Sequence, residues 1–174
     1  MKTFAVFTLC GFLLLMTACS SGDAGSGAGS MGFASTAGEA YRNFPGGDCY
    51  SMDEYSCLAF KATNVQRLAY GLTEMSFCQA CYEMAIEQST DMHVRGYFDH
   101  QRPDETFAHR ATRFGLSDGA GENIAWGKVG EVVVDLWMNS SGHRANILNP
   151  NYRSFAIGTW GLYTTQVFYI GTDK

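Results

Sequence analysis

Residues 137–148 read WMNSSGHRANIL, a segment that begins apolar and turns polar within a few positions. Apolar residues around Val133 and Trp137 recur at helical spacing, which predicts a helix over residues 131–138. The residues around Gly142 that follow are expected to form a loop at the end of this helix. Because functional side chains are often held on such loops, His143 is the first candidate for a site residue.

Three more helices are predicted before this segment. Each has an N-terminal capping signal, then apolar residues at helical spacing, then a glycine that can end the helix. The first two begin at capping boxes at residues 51–54 and 76–79, the third begins at Asp104, and they end near Gly71, Gly96 and Gly115. The N-terminal half of the domain is therefore expected to be mainly helical.

The C-terminal part has the composition of β-strands. Residues 155–160 and 163–169 are rich in β-branched and aromatic side chains, and residues 161–162 between them begin with glycine. A two-residue connection of this kind predicts a type II′ hairpin. A third strand is predicted at residues 122–126. Helices followed by strands, without regular alternation of the two, predict the α+β class with an antiparallel sheet.

Two further residues are candidates for the same site. His100 follows the predicted end of the second helix, as His143 follows that of the fourth. Glu122 stands at the start of an apolar strand, where a buried carboxylate needs a partner. His93 and His109 lie inside helical patterns, off the main apolar stripes, and no function is assigned to them. The aromatic residues of the strands and of the fourth helix, including Trp126 and Trp160, are expected to pack in the core.

Several of these segments together carry a resemblance to a known family. They are NVQR at 64–67, YFDH at 97–100, GENIA at 121–125, WMNSSGHRANIL at 137–148, Ile-Gly at 157–158 and TQVF at 165–168. In this order they closely resemble the bacterial lipoprotein branch of the CAP superfamily. That superfamily comprises cysteine-rich secretory proteins, antigen 5 and pathogenesis-related 1 proteins, and its domain is also called the SCP domain. The resemblance extends over residues 58–170.

The resemblance implies an α-β-α sandwich, with a central antiparallel sheet flanked by helices and a central cleft. In the family this cleft holds two histidines and two acidic residues, and zinc has been seen between the histidines. His100 and His143 match the histidines and Glu122 matches one of the acidic residues. The second acidic residue is missing, because Ser140 stands where better-known members have glutamate. The expected ligand cleft is thus formed by His100, Glu122, Ser140 and His143, with His100 and His143 as ligands of Zn²⁺ or another divalent cation.

Binding is expected rather than catalysis, because two histidines and a carboxylate converge in the cleft and no nucleophile is evident. The cleft is expected to bind a small ligand, a lipid or a peptide. The alternative is a metal-dependent, peptidase-like hydrolase of the cell envelope that uses His100, Glu122 and His143. Ser140 and Ser141 flank the histidine, but the sequence around them does not resemble the nucleophile elbow of serine hydrolases.

The N-terminus predicts export and a lipid anchor. Residues 1–18 have a cationic start, an apolar run and small residues at the end, as a signal peptide does. Cys19 directly after them predicts a lipidated cysteine, and an ordinary secretory signal is the alternative. Residues 19–40 form a linker, since 11 of the 19 residues from 20 to 38 are Gly or Ser. The CAP domain is expected at residues 41–174. It is expected to face the periplasm or the exterior, from the cell membrane or the outer membrane.

Four cysteines remain in the domain, namely Cys49, Cys57, Cys78 and Cys81. An exported chain favours two disulfides, and the sequence leaves their pairing open. One alternative is a zinc site of four thiolates. Another is a redox pair formed by Cys78 and Cys81 near the start of a helix, where the helix dipole lowers a thiol pKa.

The charge of the chain argues against one class of partner. Without Lys2 of the predicted signal peptide, 11 basic residues stand against 17 acidic ones, and they form no basic cluster. Nucleic acid is therefore not an expected partner, because its phosphates attract basic surfaces.

Overall fold

A computed structural model describes residues 49–172 of the chain. The predicted signal peptide, Cys19 and the linker lie outside these residues. In chain order the elements are α1 (Glu54–Ala69), β1 (Ser76–Phe77), α2 (Gln79–Arg95), α3 (Phe107–Arg113), β2 (Ala120–Trp126), α4 (Glu131–Met138), α5 (Ser141–Ile147), β3 (Ser154–Trp160) and β4 (Tyr163–Tyr169). Within residues 49–172, no helix is both long and apolar enough to cross a bilayer.

The sheet has the strand order β1-β3-β4-β2. The three long strands pair antiparallel, while the short β1 pairs parallel with β3. Gly161 connects β3 to β4 at φ 58°, whereas Leu162 keeps a negative φ, in agreement with the predicted type II′ hairpin. Within residues 49–172, no strand neighbours the second long edge of β2.

Helices cover both faces of the sheet. Two successive side chains of β3 show this, because they pack in different hydrophobic cores. Phe155 packs with α1, α4 and α5 on one face. Ala156 packs with α2 and α3 on the other. The α-β-α sandwich implied by the resemblance is confirmed.

The helix starts differ from the predicted ones by two residues. Asp53 caps α1, and its carboxylate accepts hydrogen bonds from the N–H groups of Tyr55 and Ser56. Ser76 does not cap α2 because it belongs to β1, where its N–H donates to the carbonyl of Arg153. The cap of α2 is Cys78 instead. Thr106 caps α3, whereas the predicted cap, Asp104, pairs with Arg95.

All four cysteines of the domain form disulfides. The bonds join Cys49 to Cys57 and Cys78 to Cys81. The expected disulfides are confirmed, and the four-thiolate zinc site is wrong because no thiolate is free. Cys78 and Cys81 are fully buried in the core on the α2 face. This burial argues against the redox interpretation, because a reactive pair must be accessible to its substrate.

The segment after α4 is the largest difference from the predicted structure. Residues expected to form a loop make α5, which carries His143. Tertiary contacts hold this short helix in place. Ile147 is fully buried, and Arg67 donates to the carbonyl groups of Ile147 and Asn149 at 2.7 and 2.9 Å. These bonds satisfy carbonyl groups at the helix end that would otherwise lack donors.

Candidate functional site

Glu122 is the centre of the candidate site. Strand β2 directs its side chain toward the face covered by α2 and α3, where the side chain is only 2% exposed. A carboxylate taken out of water in this way needs charged or hydrogen-bonding partners. Both of its oxygens have one.

Arg110 is the partner that the sequence interpretation missed. It lies in α3 with a fully buried side chain, and its Nη2 donates to Glu122 Oε2 at 2.7 Å. The sequence does contain a signal for it. Phe107, Arg110, Ala111 and Phe114 are spaced to share one face of α3, so an arginine falls on the apolar face of a helix. A buried arginine on such a face predicts a buried carboxylate nearby.

His100 is the second partner of Glu122. Its Nδ1 lies 2.9 Å from Glu122 Oε1, and the side chain is 45% exposed. The hydrogen bond to Glu122 raises the pKa of His100 above the ordinary histidine value, against the opposing effect of burial. With the proton on Nδ1 directed at the carboxylate, Nε2 remains free to bind a ligand.

His143 has the opposite electrostatic environment. Burial lowers its pKa, and the charge of nearby His100 lowers it further. Its Nδ1 is buried and has no hydrogen-bond partner among the described residues. Asn123 fixes the backbone at this point, because its side-chain amide donates to the carbonyl of His143 at 3.2 Å. The site therefore combines one histidine whose pKa is raised with one whose pKa is lowered.

Both histidines line one cleft with a volume of about 750 Å³. Its floor is the free edge of β2 at residues 124–126, and one wall is formed by residues 96–100. The opposite wall contains Leu136, Ser140 and His143 from α4 and the start of α5. The structure thus places His100, Ser140 and His143 around one space, with Glu122 bonded to His100 beneath it.

Two exposed tryptophans of the sheet correct the sequence interpretation. Trp137 and the strand phenylalanines are buried as expected, but Trp126 is 61% exposed and Trp160 is 48% exposed. Trp160 and Trp126 both pair with Tyr163, so the three side chains stand in a row on one face of the sheet. Their exposure shows that the helices on this face leave both tryptophans largely uncovered.

The metal-binding capacity of the site is limited to two imidazoles. Both oxygens of Glu122 are already bonded, and Ser140 supplies no charge. Across residues 49–172, no group of three or more His, Cys, Asp or Glu side chains is arranged to hold a metal ion. The residues fit a divalent cation only if water or a bound ligand completes its coordination.

Comparison with known proteins decides the family. Residues 60–170 match the Cysteine-rich secretory protein family, CAP. This chain belongs to the CAP family. Its CAP segment is 40% identical over 111 residues to protein YkwD of Bacillus subtilis (strain 168). This match covers 62% of this chain and 43% of YkwD. It is 35% identical to the membrane protein YlbC of the same organism, over 61% of this chain and 32% of YlbC. The chain thus spans less than half the length of either relative.

Solved CAP-like structures agree with the fold. An extracellular protein containing an SCP domain from Bacillus anthracis str. Ames superposes with a TM-score of 0.61 at 33% identity, over 64% of this chain and 38% of that one. An outer surface protein from Borrelia burgdorferi gives a TM-score of 0.57 at 20% identity, over 66% of this chain and 90% of that one. At that identity the second comparison supports the fold alone.

Proposed function

We propose that this CAP protein is an exported binding domain, tethered to the membrane through Cys19, whose cleft binds a small molecule, lipid or peptide. The observation that carries the proposal is the pairing of His100 and His143 across one open cleft with apolar walls. Such a cleft suits a ligand with an apolar part and a polar group that reaches the imidazoles. The predicted signal peptide and the extracellular SCP-domain relative support export.

A divalent metal such as Zn²⁺ is part of this proposal. His100 would bind it through Nε2, while Glu122 fixes the ring from the other side, as carboxylates do behind many zinc-bound histidines. His143 would supply the second imidazole. A bound metal would attract a carbonyl or carboxylate oxygen of the ligand to this end of the cleft.

One observation favours a second function, a hydrolase. The pKa of His100 is raised and that of His143 is lowered, and a pair whose pKa values are pushed apart can divide acid and base roles. His143 would accept a proton from a water molecule, and His100 would donate one to the leaving group. Alternatively, a metal on the two imidazoles would activate the water.

Zinc titration tests the proposal. We expect His143→Ala to weaken Zn²⁺ binding by about tenfold or more, because one of two imidazoles is lost. Affinity in the unmodified protein should fall as the pH falls through the raised pKa of His100, since protons then compete for Nε2. Isothermal titration calorimetry with ZnCl₂ near neutral pH measures both effects.

His109→Ala is the matched control for this titration. The His109 side chain is 73% exposed and pairs with Glu105 away from the cleft, so its loss should leave zinc affinity unchanged. Equal zinc affinity in the His143→Ala variant and the unmodified protein would contradict the metal site. Hydrolysis of an envelope peptide that disappears in His143→Ala but persists in His109→Ala would favour the hydrolase.

A further inference from the structure

Strand β2 exposes unpaired main-chain groups along the floor of the cleft. In an antiparallel pair, alternate residues direct their N–H and C=O groups toward the partner strand and away from it. The N–H of Ile170 donates to the carbonyl of Gly119, and the N–H of Gly127 donates to that of Leu162. Gly119 and Gly127 flank β2, so the odd-numbered positions of this strand direct their main chain toward β4. The even-numbered residues of β2, which include Ile124 and Trp126, therefore direct their main chain toward the free edge.

Side chains from the neighbouring helices cover only one end of this edge. Asn146 donates to the carbonyl of Glu122 at 3.2 Å, and Trp137 donates to that of Ile124 at 3.2 Å. Among the described residues, no group bonds to the outward N–H of Ile124 or to the outward N–H and C=O of Trp126. This uncovered end of the edge is the part that lines the cleft.

The walls of the cleft leave a groove parallel to this edge. Residues 96–100 stand on one side of β2, with Phe98 51% exposed. Leu136, which is 46% exposed, stands on the other side with Ser140 and His143. A strand laid along β2 would direct its side chains alternately toward these two walls.

We infer that the ligand of the cleft is an extended polypeptide segment that adds to the free edge of β2 as a short extra strand. A main chain in the β conformation presents N–H and C=O groups at the spacing that the edge at Ile124 and Trp126 can bond. An apolar side chain of the segment packs between Phe98 and Trp126, which supplies selectivity. The inference rests on the proposed function, because it names the ligand class of the same cleft.

Peptide selection followed by N-methylation tests the inference. A phage-displayed library of random dodecapeptides is selected on the unmodified protein, and the best binder is synthesised with one main-chain nitrogen methylated at a time. We expect methylation to weaken binding by about tenfold at alternate nitrogens, where it removes a hydrogen bond to β2, and by about twofold or less at the others. Failure to select any binder, or loss without alternation, would overturn the inference.

Two substitutions at Trp126 test the same point from the protein side. Trp126→Ala removes the exposed side chain, whereas Trp126→Pro also removes the outward N–H, which β4 does not use. We expect the proline variant to bind the selected peptide about fivefold to tenfold more weakly than the alanine variant. Circular dichroism verifies that both are folded, and equal affinity in two folded variants would contradict strand addition.

The outcomes separate this inference from the proposed function. Zinc binding that depends on His143, together with no peptide binding, would overturn strand addition and leave the binding cleft in place. Loss of both would overturn the two proposals together. A second copy of the chain on the same edge would appear as a dimer in analytical ultracentrifugation and would also contradict the inference, which expects a monomer.

Discussion

Arg110→Met is expected to lower the free energy of unfolding by about 3–5 kcal/mol, because it leaves a buried carboxylate without its cation. The side chains of Arg110 and Glu122 are 0% and 2% exposed, so water cannot replace the lost partner. His100 alone bonds the other oxygen and cannot supply a permanent charge. Urea unfolding followed by circular dichroism measures the loss.

Two further variants make this prediction specific. Arg113→Met is the matched control in the same helix, because Arg113 is 42% exposed and its ion pairs with Glu87 and Glu105 lie at the surface. Its effect should stay within about 1 kcal/mol. The double variant with Arg110→Met and Glu122→Met should be more stable than Arg110→Met alone, since neither charge is then buried unpaired. A loss below about 1 kcal/mol for Arg110→Met would show that this ion pair does not hold the site together.

Gly158→Ala is expected to cost about 3 kcal/mol by forcing α2 away from the sheet. A Cβ atom at this position would lie 2.3 Å from the backbone nitrogen of Ile86 and 2.6 Å from its Cα. Backbone atoms of a packed helix cannot move aside as a side chain can. The shift would also strain the bonds from Ser89 to the carbonyl of Gly158 and to Thr165. Thermal and urea unfolding measure the change.

Gly142→Ala is the control for this substitution. Gly142 lies in α5, and a Cβ atom there meets nothing within 4 Å. Alanine is a better helix former than glycine, so this variant should gain up to about 1 kcal/mol. Equal stability of the two alanine variants would contradict the close contact between α2 and β3.

Much of the fold could be predicted from local patterns. The helices α1 to α4 carry apolar spacing in their own sequences, α1 to α3 also carry capping signals, and the β3–β4 hairpin carries its glycine. Each was therefore predicted within a few residues. Helix α5 was not, because glycine and asparagine disfavour a helix and its stability comes from distant contacts with Arg67. Strand β1 is two residues long and pairs with β3 alone among the described strands, which no local pattern encodes.

The candidate site was predicted in part, and mainly by resemblance. His100 and Glu122 do meet, and His143 lines the same cleft. Arg110 was missed because a helical arginine is usually a surface residue and its partner is distant in sequence. The exposure of Trp126 and Trp160 was missed because alternation along a strand identifies a face but not how far the covering helix extends.

The two histidines of the cleft have pKa values shifted in opposite directions, and the proposed binding site needs both imidazoles. An NMR titration of the imidazole signals of the four histidines from about pH 5 to pH 9 tests it directly. We expect His100 to titrate above the ordinary value and His143 below it, and ZnCl₂ to shift these two signals but not that of His109. A His143 midpoint equal to or above that of His100 would contradict the opposite pKa shifts of the two rings.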